Sequence, residues 1–248
     1  MPPAQTSKAV IFRTWDFGEA DLLVSFFTQE MGRLKGVAKA ARKSKKRFVN
    51  CLDHFSLVNL EYESRRASEL YLIHSGRLVE GYGGIRGDFQ DFSLAGYLVE
   101  LTEALFPPQV PAPEVFTLLV DILRAIDRGD NSALLRIAFE ARVMALGGYA
   151  IGLDRCSGCG REYQRKGRAV FDSEKGGIYC LKCRVESPGV PSLGAEAGSL
   201  LSTLQKLGAE ALSKNEVDPE ACAEIRYVMD LHIARRLGRA LKTAAFLD

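Results

Sequence analysis

Leu22-Leu-Val-Ser-Phe-Phe-Thr28 and Arg33-Leu-Lys-Gly-Val-Ala38, joined through Glu30-Met31-Gly32, decide how the chain begins to fold. In the first run Leu22, Val24, Phe26 and Thr28 share one face and Leu23, Ser25 and Phe27 the other, the period-two pattern of a strand. The connection is short enough for a hairpin. Upstream, Lys8–Thr14 is rich in the β-formers Val10, Ile11 and Phe12 and runs into the turn signal Asp16-Phe17-Gly18. Downstream, His54–Glu63 alternates Phe55, Leu57, Asn59 and Glu61 against Ser56, Val58, Leu60 and Tyr62. Leu70–His74 begins a fifth strand. Five short strands with a long loop between the third and fourth suit a small barrel, either an oligonucleotide-binding (OB) fold or another five-stranded barrel such as an SH3-like one.

The long loop carries the charge. The 248 residues hold 33 Lys plus Arg and 31 Asp plus Glu, a net charge of +2. Residues 1–80 hold 13 basic and 9 acidic side chains, and residues 81–248 hold 20 and 22. The excess sits in Arg33–Arg47, where Arg33, Lys35, Lys39, Arg42, Lys43, Lys45, Lys46 and Arg47 occur with no acidic residue. Such a run is the footprint of a phosphate-backbone binder, and a solvated basic loop is the alternative. OB barrels that bind single strands pair a basic groove with stacking aromatics. Phe48, directly after the run, and Trp15, at a strand end, are the candidate platforms, with core or loop packing the competing role for each.

Beyond about Gly87 the period changes from 2 to 3.6. Phe89 through Leu105 recurs at helical spacing until Pro107-Pro108 stops it. Pro113 opens a second helix with the stripe Leu118, Leu119, Ile122, Leu123 and Ile126. Asp130 through Ser132 can cap a third, which ends at Gly147-Gly148. Asp218-Pro219 starts a last helix, predicted to run to about Lys242. On it Arg235, Arg239 and Lys242 fall at i, i+4 and i+7, a basic stripe that would extend a nucleic-acid surface or face solvent. His232 reads as a half-buried packing residue.

Cys156-Ser-Gly-Cys159 and Cys180-Leu-Lys-Cys183 form the strongest motif. Each C-x2-C turn brings two thiolates to one side of a metal, and two turns complete a tetrahedron. Gly158 and Gly160 ease the tight first turn. Ala169–Asp172 and Gly176–Tyr179 read as a small ribbon between the turns. Four cysteines fill the shell of a structural Zn2+; an iron–sulfur cluster and, in an oxidising compartment, disulfides are the rivals. Arg155, Arg161, Lys182 and Arg184 can offset the excess thiolate charge. Cys51 and Cys222 are left as packing residues.

Several classes are excluded. Composition, with 47% hydrophobic and 26% charged residues, is that of a folded globular chain. The most apolar stretches, Ser93–Phe106 and Val115–Ile126, are broken by charge well before a bilayer's thickness. Met1–Val10 lacks a secretory pattern, so a cytoplasmic location is expected. No P-loop, G-x-S-x-G or H-E-x-x-H motif occurs, and the acidic residues are scattered, so no enzymatic activity is expected. The class is α+β: a barrel over 1–80, a helical domain over 81–150 and 190–248, and a four-Cys zinc insert over 151–189.

This order, with its wording, resembles the RecO family of bacterial recombination mediators. Asp16-Phe-Gly-Glu-Ala-Asp21 is similar to that family's D-[YF]-[GS]-E-x-D turn, and Glu30–Arg42 to its third strand and loop. Phe139–Tyr149 resembles its helix leading to "GY", and Leu237–Phe246 its C-terminal segment. The resemblance implies an OB-fold that binds single- and double-stranded DNA. It implies annealing of complementary strands, including strands coated with single-strand-binding protein (SSB), and partnership with RecR in helping RecA to load in the RecF pathway, at the nucleoid. A zinc-ribbon adaptor whose basic loop contacts an acidic protein is the competing function.

Overall fold

The computed structural model describes residues 4–65, 69–130, 132–208 and 218–247. The chain divides into two compact units, Met1–Gly129 and Asp130–Asp248. In the first, β1 (Gln5–Phe17), β2 (Asp21–Thr28), β3 (Gly32–Ala38), β4 (Leu57–Glu63) and β5 (Tyr71–Glu80) close into a barrel of order β1-β2-β3-β5-β4. β3 and β5 run parallel and the other neighbours antiparallel. This is the Greek-key order of the OB fold rather than the SH3-like alternative.

Register decides what fills the barrel. Ile11 pairs with Phe26 and Phe26 with Leu34, and these join Ala9, Val24, Ala38, Leu60, Tyr62 and Ile73 in one buried cluster. Leu22, Val24 and Phe26 thus point inward as their alternation predicts. The β3–β4 connection closes one end, with Ala41, Phe48, Cys51 and Leu52 in the same cluster. Phe48 is therefore core, 7% exposed, and no stacking platform. Gly76 has no side chain because a Cβ there would stand 2.8 Å from Cys51 Sγ. Burial pushes the Cys51 thiol up to about 11, as befits a packing residue.

Three helices belong to the barrel unit: α1 (Gly83–Gly87), α2 (Phe89–Leu105) and α3 (Pro113–Asp127). Asp88 caps α2 by accepting the Gln90 and Asp91 N–H groups. Polar ties fasten the helices to the strands. Glu103 on α2 meets Arg13 at 3.3 Å and Arg33 at 3.7 Å. Glu80, ending β5, receives Arg124 of α3 at 2.5 Å. The contacts thus group residues 81–129 with the barrel, whereas the sequence reading joins 81–150 and 190–248 in one helical domain.

The second unit holds α4 (Ser132–Leu146), β6 (Gly152–Cys156), β7 (Ala169–Asp172), β8 (Gly177–Cys180), β9 (Ser192–Leu193), α5 (Ala195–Leu207) and α6 (Pro219–Leu237). The strands form one sheet of order β6-β8-β7-β9. Arg136 and Glu140 pair at 2.8 Å on α4, with side chains 9% and 0% exposed, and Arg136 also reaches Asp230 of α6 at 2.5 Å. α6 stops at Gly238, whose φ of 64° is a left-handed cap. It ends short of Lys242, so Arg239 and Lys242 lie beyond the helix and the predicted stripe does not form. Arg235 instead meets Glu174 at 3.3 Å. No helix among the described residues is long and apolar enough to cross a membrane.

Candidate nucleic-acid interface and metal centre

The basic run is sorted by the fold into free and occupied cations. Arg33, on β3, is partly covered and turned to Glu103, with a side chain 20% exposed. Arg47 donates to the carbonyls of Lys39 at 2.6 Å and His74 at 3.4 Å and stacks over the Phe48 ring. Both therefore do structural work. Lys39 meets Asp21 at 2.5 Å, and Arg42 meets Asp16 at 3.5 Å. The Ala40 N–H and the Lys39 ammonium hold the Asp21 carboxyl below its usual range. Lys35, Lys43, Lys45 and Lys46 are exposed and have no ion pair among the described residues.

The connection that carries these lysines is held at several points. Arg42 N–H donates to the Ala20 carbonyl at 3.1 Å, and Gly76 N–H to the Arg47 carbonyl at 2.8 Å. Apolar side chains underneath enter the barrel while the lysines face out. The β3–β4 connection thus serves as both plug and charged surface, with Ala41 and Phe48 turned into the barrel cluster.

Trp15 and Phe17 stand beside this loop on the outer face of the β1–β2 ribbon, 42% and 44% exposed. Trp15 pairs across the ribbon with Leu23, and Arg13 with Ser25, which pairs in turn with Lys35. Trp15, Phe17 and Lys35 thus share the outward side. OB folds take oligonucleotides on the strand 2–3 face and its neighbouring loops. Here Ser25 and Phe27 on the outer side of β2 are buried, with Ser25 donating to Glu103 of α2, so Trp15, Phe17 and Lys35 are the exposed side chains at the margin of that face. Sequence reasoning placed Phe17 in a turn. Its i, i+2 spacing from Trp15 was the signal that both lie on one strand face.

The four motif cysteines come together. Their sulfurs all lie within 4.8 Å of one another, and Cys159 and Cys180 sulfurs are 3.9 Å apart. Tetrahedral thiolate coordination, with bonds of about 2.3 Å, needs sulfurs about 3.8 Å apart, so the set fits a metal ion. Topology explains the convergence. β6 and β8 are parallel neighbours, and each ends on a ligand, Cys156 and Cys180. Both knuckles leave the sheet at the same end. The Gly160 N–H closes the first on the Cys156 carbonyl at 2.9 Å, and the Arg184 N–H closes the second on the Cys180 carbonyl at 3.1 Å. The first needs the positive φ of Gly160, 71°; the second closes with Arg184 outside that region.

Gly158 has its own reason. A Cβ there would meet Tyr179 Cε1 at 3.0 Å and Cys183 Cβ at 3.2 Å. Burial pushes the Cys156 thiol up, but N–H groups of Cys159, Cys180 and Gly158 outweigh it and bring it down to about 6. None of the six cysteines is in a disulfide. His232 Nε2 contacts the Tyr149 carbonyl at 2.7 Å and its ring stacks edge-on to Phe171. At 1% exposure it is more buried than read from sequence, and burial holds it neutral by lowering its pKa.

Two family models match this chain: Recombination protein O N terminal over residues 1–82, and Recombination protein O C terminal over residues 86–245. Full-length relatives agree. A DNA repair protein RecO from Anaeromyxobacter sp. (strain K) is 36% identical over 242 residues, 96% of this chain and 94% of the relative. The protein of that name from Syntrophus aciditrophicus (strain SB) is 30% identical over 244 residues, 98% and 94%. That from Desulfatibacillum aliphaticivorans is 34% identical over 254 residues, 100% and 97%.

Proposed function

Because the chain belongs to the recombination protein O family, we propose that it is a non-enzymatic mediator of recombinational DNA repair that binds and anneals DNA strands. Its substrates are single- and double-stranded DNA, including complementary single strands coated with SSB. With RecR it assists RecA in loading onto coated DNA, in the cytoplasm at the nucleoid. One observation carries the reading. Lys43, Lys45 and Lys46 are presented by a braced loop with no acidic partner among the described residues, beside exposed Trp15 and Phe17.

Annealing follows from charge. Two strands repel through their phosphates, and cations that neutralise one strand lower that repulsion. Base pairing supplies the free energy, so no nucleotide need be hydrolysed. Trp15 and Phe17 offer flat apolar faces to unpaired bases, which stack without sequence preference. The ion held by Cys156, Cys159, Cys180 and Cys183 is Zn2+, which would crosslink the two knuckles and fix the sheet end. Four protein ligands leave no open position, so its role is structural.

The test is anisotropy of a labelled single strand with Lys43→Glu, Lys45→Glu and Lys46→Glu combined. Binding is expected to weaken at least tenfold while the unfolding temperature stays put. Undiminished affinity rejects the loop as the contact surface.

A further inference from the structure

The metal module carries cations that have no carboxylate partner among the described residues. Residues 151–189 contain eight basic side chains and five acidic ones. The rest of the second unit, 130–150 and 190–248, holds nine basic and ten acidic, so that unit's positive excess lies in the module. Four of the five carboxylates are already engaged. Asp154 meets Arg165 at 3.0 Å, Asp172 meets Arg184 at 2.9 Å, Glu174 meets Arg235 at 3.3 Å and Glu186 meets Arg168 at 2.7 Å. Arg155, Arg161, Lys166, Lys175 and Lys182 remain, all exposed and without an ion pair among the described residues, against Glu162 alone, with Lys175 donating to the Ser157 carbonyl of the first knuckle at 3.4 Å.

Topology gathers four of them, Arg155, Arg161, Lys175 and Lys182. Both knuckles leave the same end of β6 and β8, so Arg155 and Arg161, flanking the first, share that end with Lys182 inside the second. Lys175 lies over the Tyr179 ring at 5.3 Å, and that ring backs the first knuckle at Gly158. Four thiolates on a divalent ion carry a charge of −2, which leaves the five cations in excess. Leu181 and Val185, 46% and 79% exposed, set apolar surface among them. Cations spread around apolar side chains suit a flexible polyanion with bases better than a point anion.

We propose that the knuckle end of the module is a second nucleic-acid site, which takes the phosphate backbone of one single strand while the barrel holds another. This rests on the strand-annealing reading and gives it a second hand: the two strands to be paired are bound by different units of one chain. The contacts are to phosphates, so the site is indifferent to sequence.

The experiment uses the full chain and two differently labelled, non-complementary single strands, with energy transfer between labels reporting co-capture. Combined Arg155→Gln, Arg161→Gln and Lys182→Gln should cut co-capture at least tenfold and leave quenching of Trp15, the sole tryptophan, by DNA intact. In a chain that also carries Lys43→Gln, Lys45→Gln and Lys46→Gln, the residual strand binding of the loop variant should disappear. Because these three module positions adjoin metal ligands, Lys175→Gln, which does not, must lower co-capture too, with one metal equivalent retained. Wild-type co-capture in both module variants overturns the second site and leaves the barrel reading standing. Trp15 quenching at undiminished affinity in the loop variant would instead strike the barrel reading. Module variants that bind DNA normally but lose a polyglutamate ligand overturn the proposal in favour of an acidic protein.

Discussion

Neutralising Lys43, Lys45 and Lys46 to Gln should flatten the salt dependence of DNA binding at the barrel by a calculable amount. Eight cations occupy the run, but Arg33 is held by Glu103 and Arg47 by two carbonyls, and Lys39 and Arg42 have carboxylate partners. Four remain for phosphate: Lys35, Lys43, Lys45 and Lys46. Single-strand contacts each contribute about −0.7 to the slope of log K against log salt, so four give about −3. Raising salt from about 50 to about 200 mM should then weaken wild-type binding by about fiftyfold, and the triple variant, with one contact left, by about threefold. Trp15, the chain's one tryptophan, is 42% exposed beside the loop, so its quenching reports barrel occupancy directly. Arg47→Gln is the control. It removes bonds to the Lys39 and His74 carbonyls, so it should lower stability by about 1 kcal/mol and leave the slope unchanged. A triple variant with the wild-type slope would refute the assignment, and so would an Arg47→Gln slope that falls as far as the triple's.

Other outcomes follow from the packing. Gly32→Ala should destabilise the barrel unit by more than about 2 kcal/mol in denaturant titration, because φ is +65° and the new Cβ would stand 2.0 Å from the Val110 carbonyl oxygen. Glu80 has its pKa lowered chiefly by Arg124, so its contribution is present above its ordinary value of 4.5 and is lost as pH falls through the lower folded value. Glu80→Gln should therefore cost stability at neutral pH, with the gap to wild type closing at acidic pH in parallel melts. Chelation should lower the unfolding temperature of the second unit and leave that of the barrel unit in place, with one equivalent of Zn2+ released on metal analysis. A single unchanged transition would remove the metal from the account.

What sequence discloses and what it hides divide along physical lines. β2 and β3 are legible because their alternation matches a half-buried pleat, and the cysteine spacing is legible because coordination imposes it. α2 is legible too: the helical period sets in at about Gly87 and stops at Pro107-Pro108, and the helix spans Phe89–Leu105 behind an Asp88 cap that the pattern does not show. α5 is hidden. Gly198, Ser199, Ser202 and Thr203 are poor helix formers, which blurs the helical signal over this segment. Phe48 looks like a platform from its basic neighbours, and only closure of the barrel shows that it plugs one end. The stripe on α6 fails at Gly238, a cap that a hydrophobic pattern running past it conceals. The eight-cation run reads as one surface, yet which cations are free depends on Glu103, distant in sequence from Arg33. The charge of the metal module is written in the chain but is masked by averaging over residues 81–248.

The most direct measurement is the annealing rate of two complementary single strands, each coated with SSB, in the presence of this protein and without nucleotide. Rapid duplex formation is expected with the wild type, and at least a tenfold slower rate when Lys43, Lys45 and Lys46 are replaced by Glu. Annealing that requires ATP, or that proceeds equally fast with the reversed loop, would contradict it.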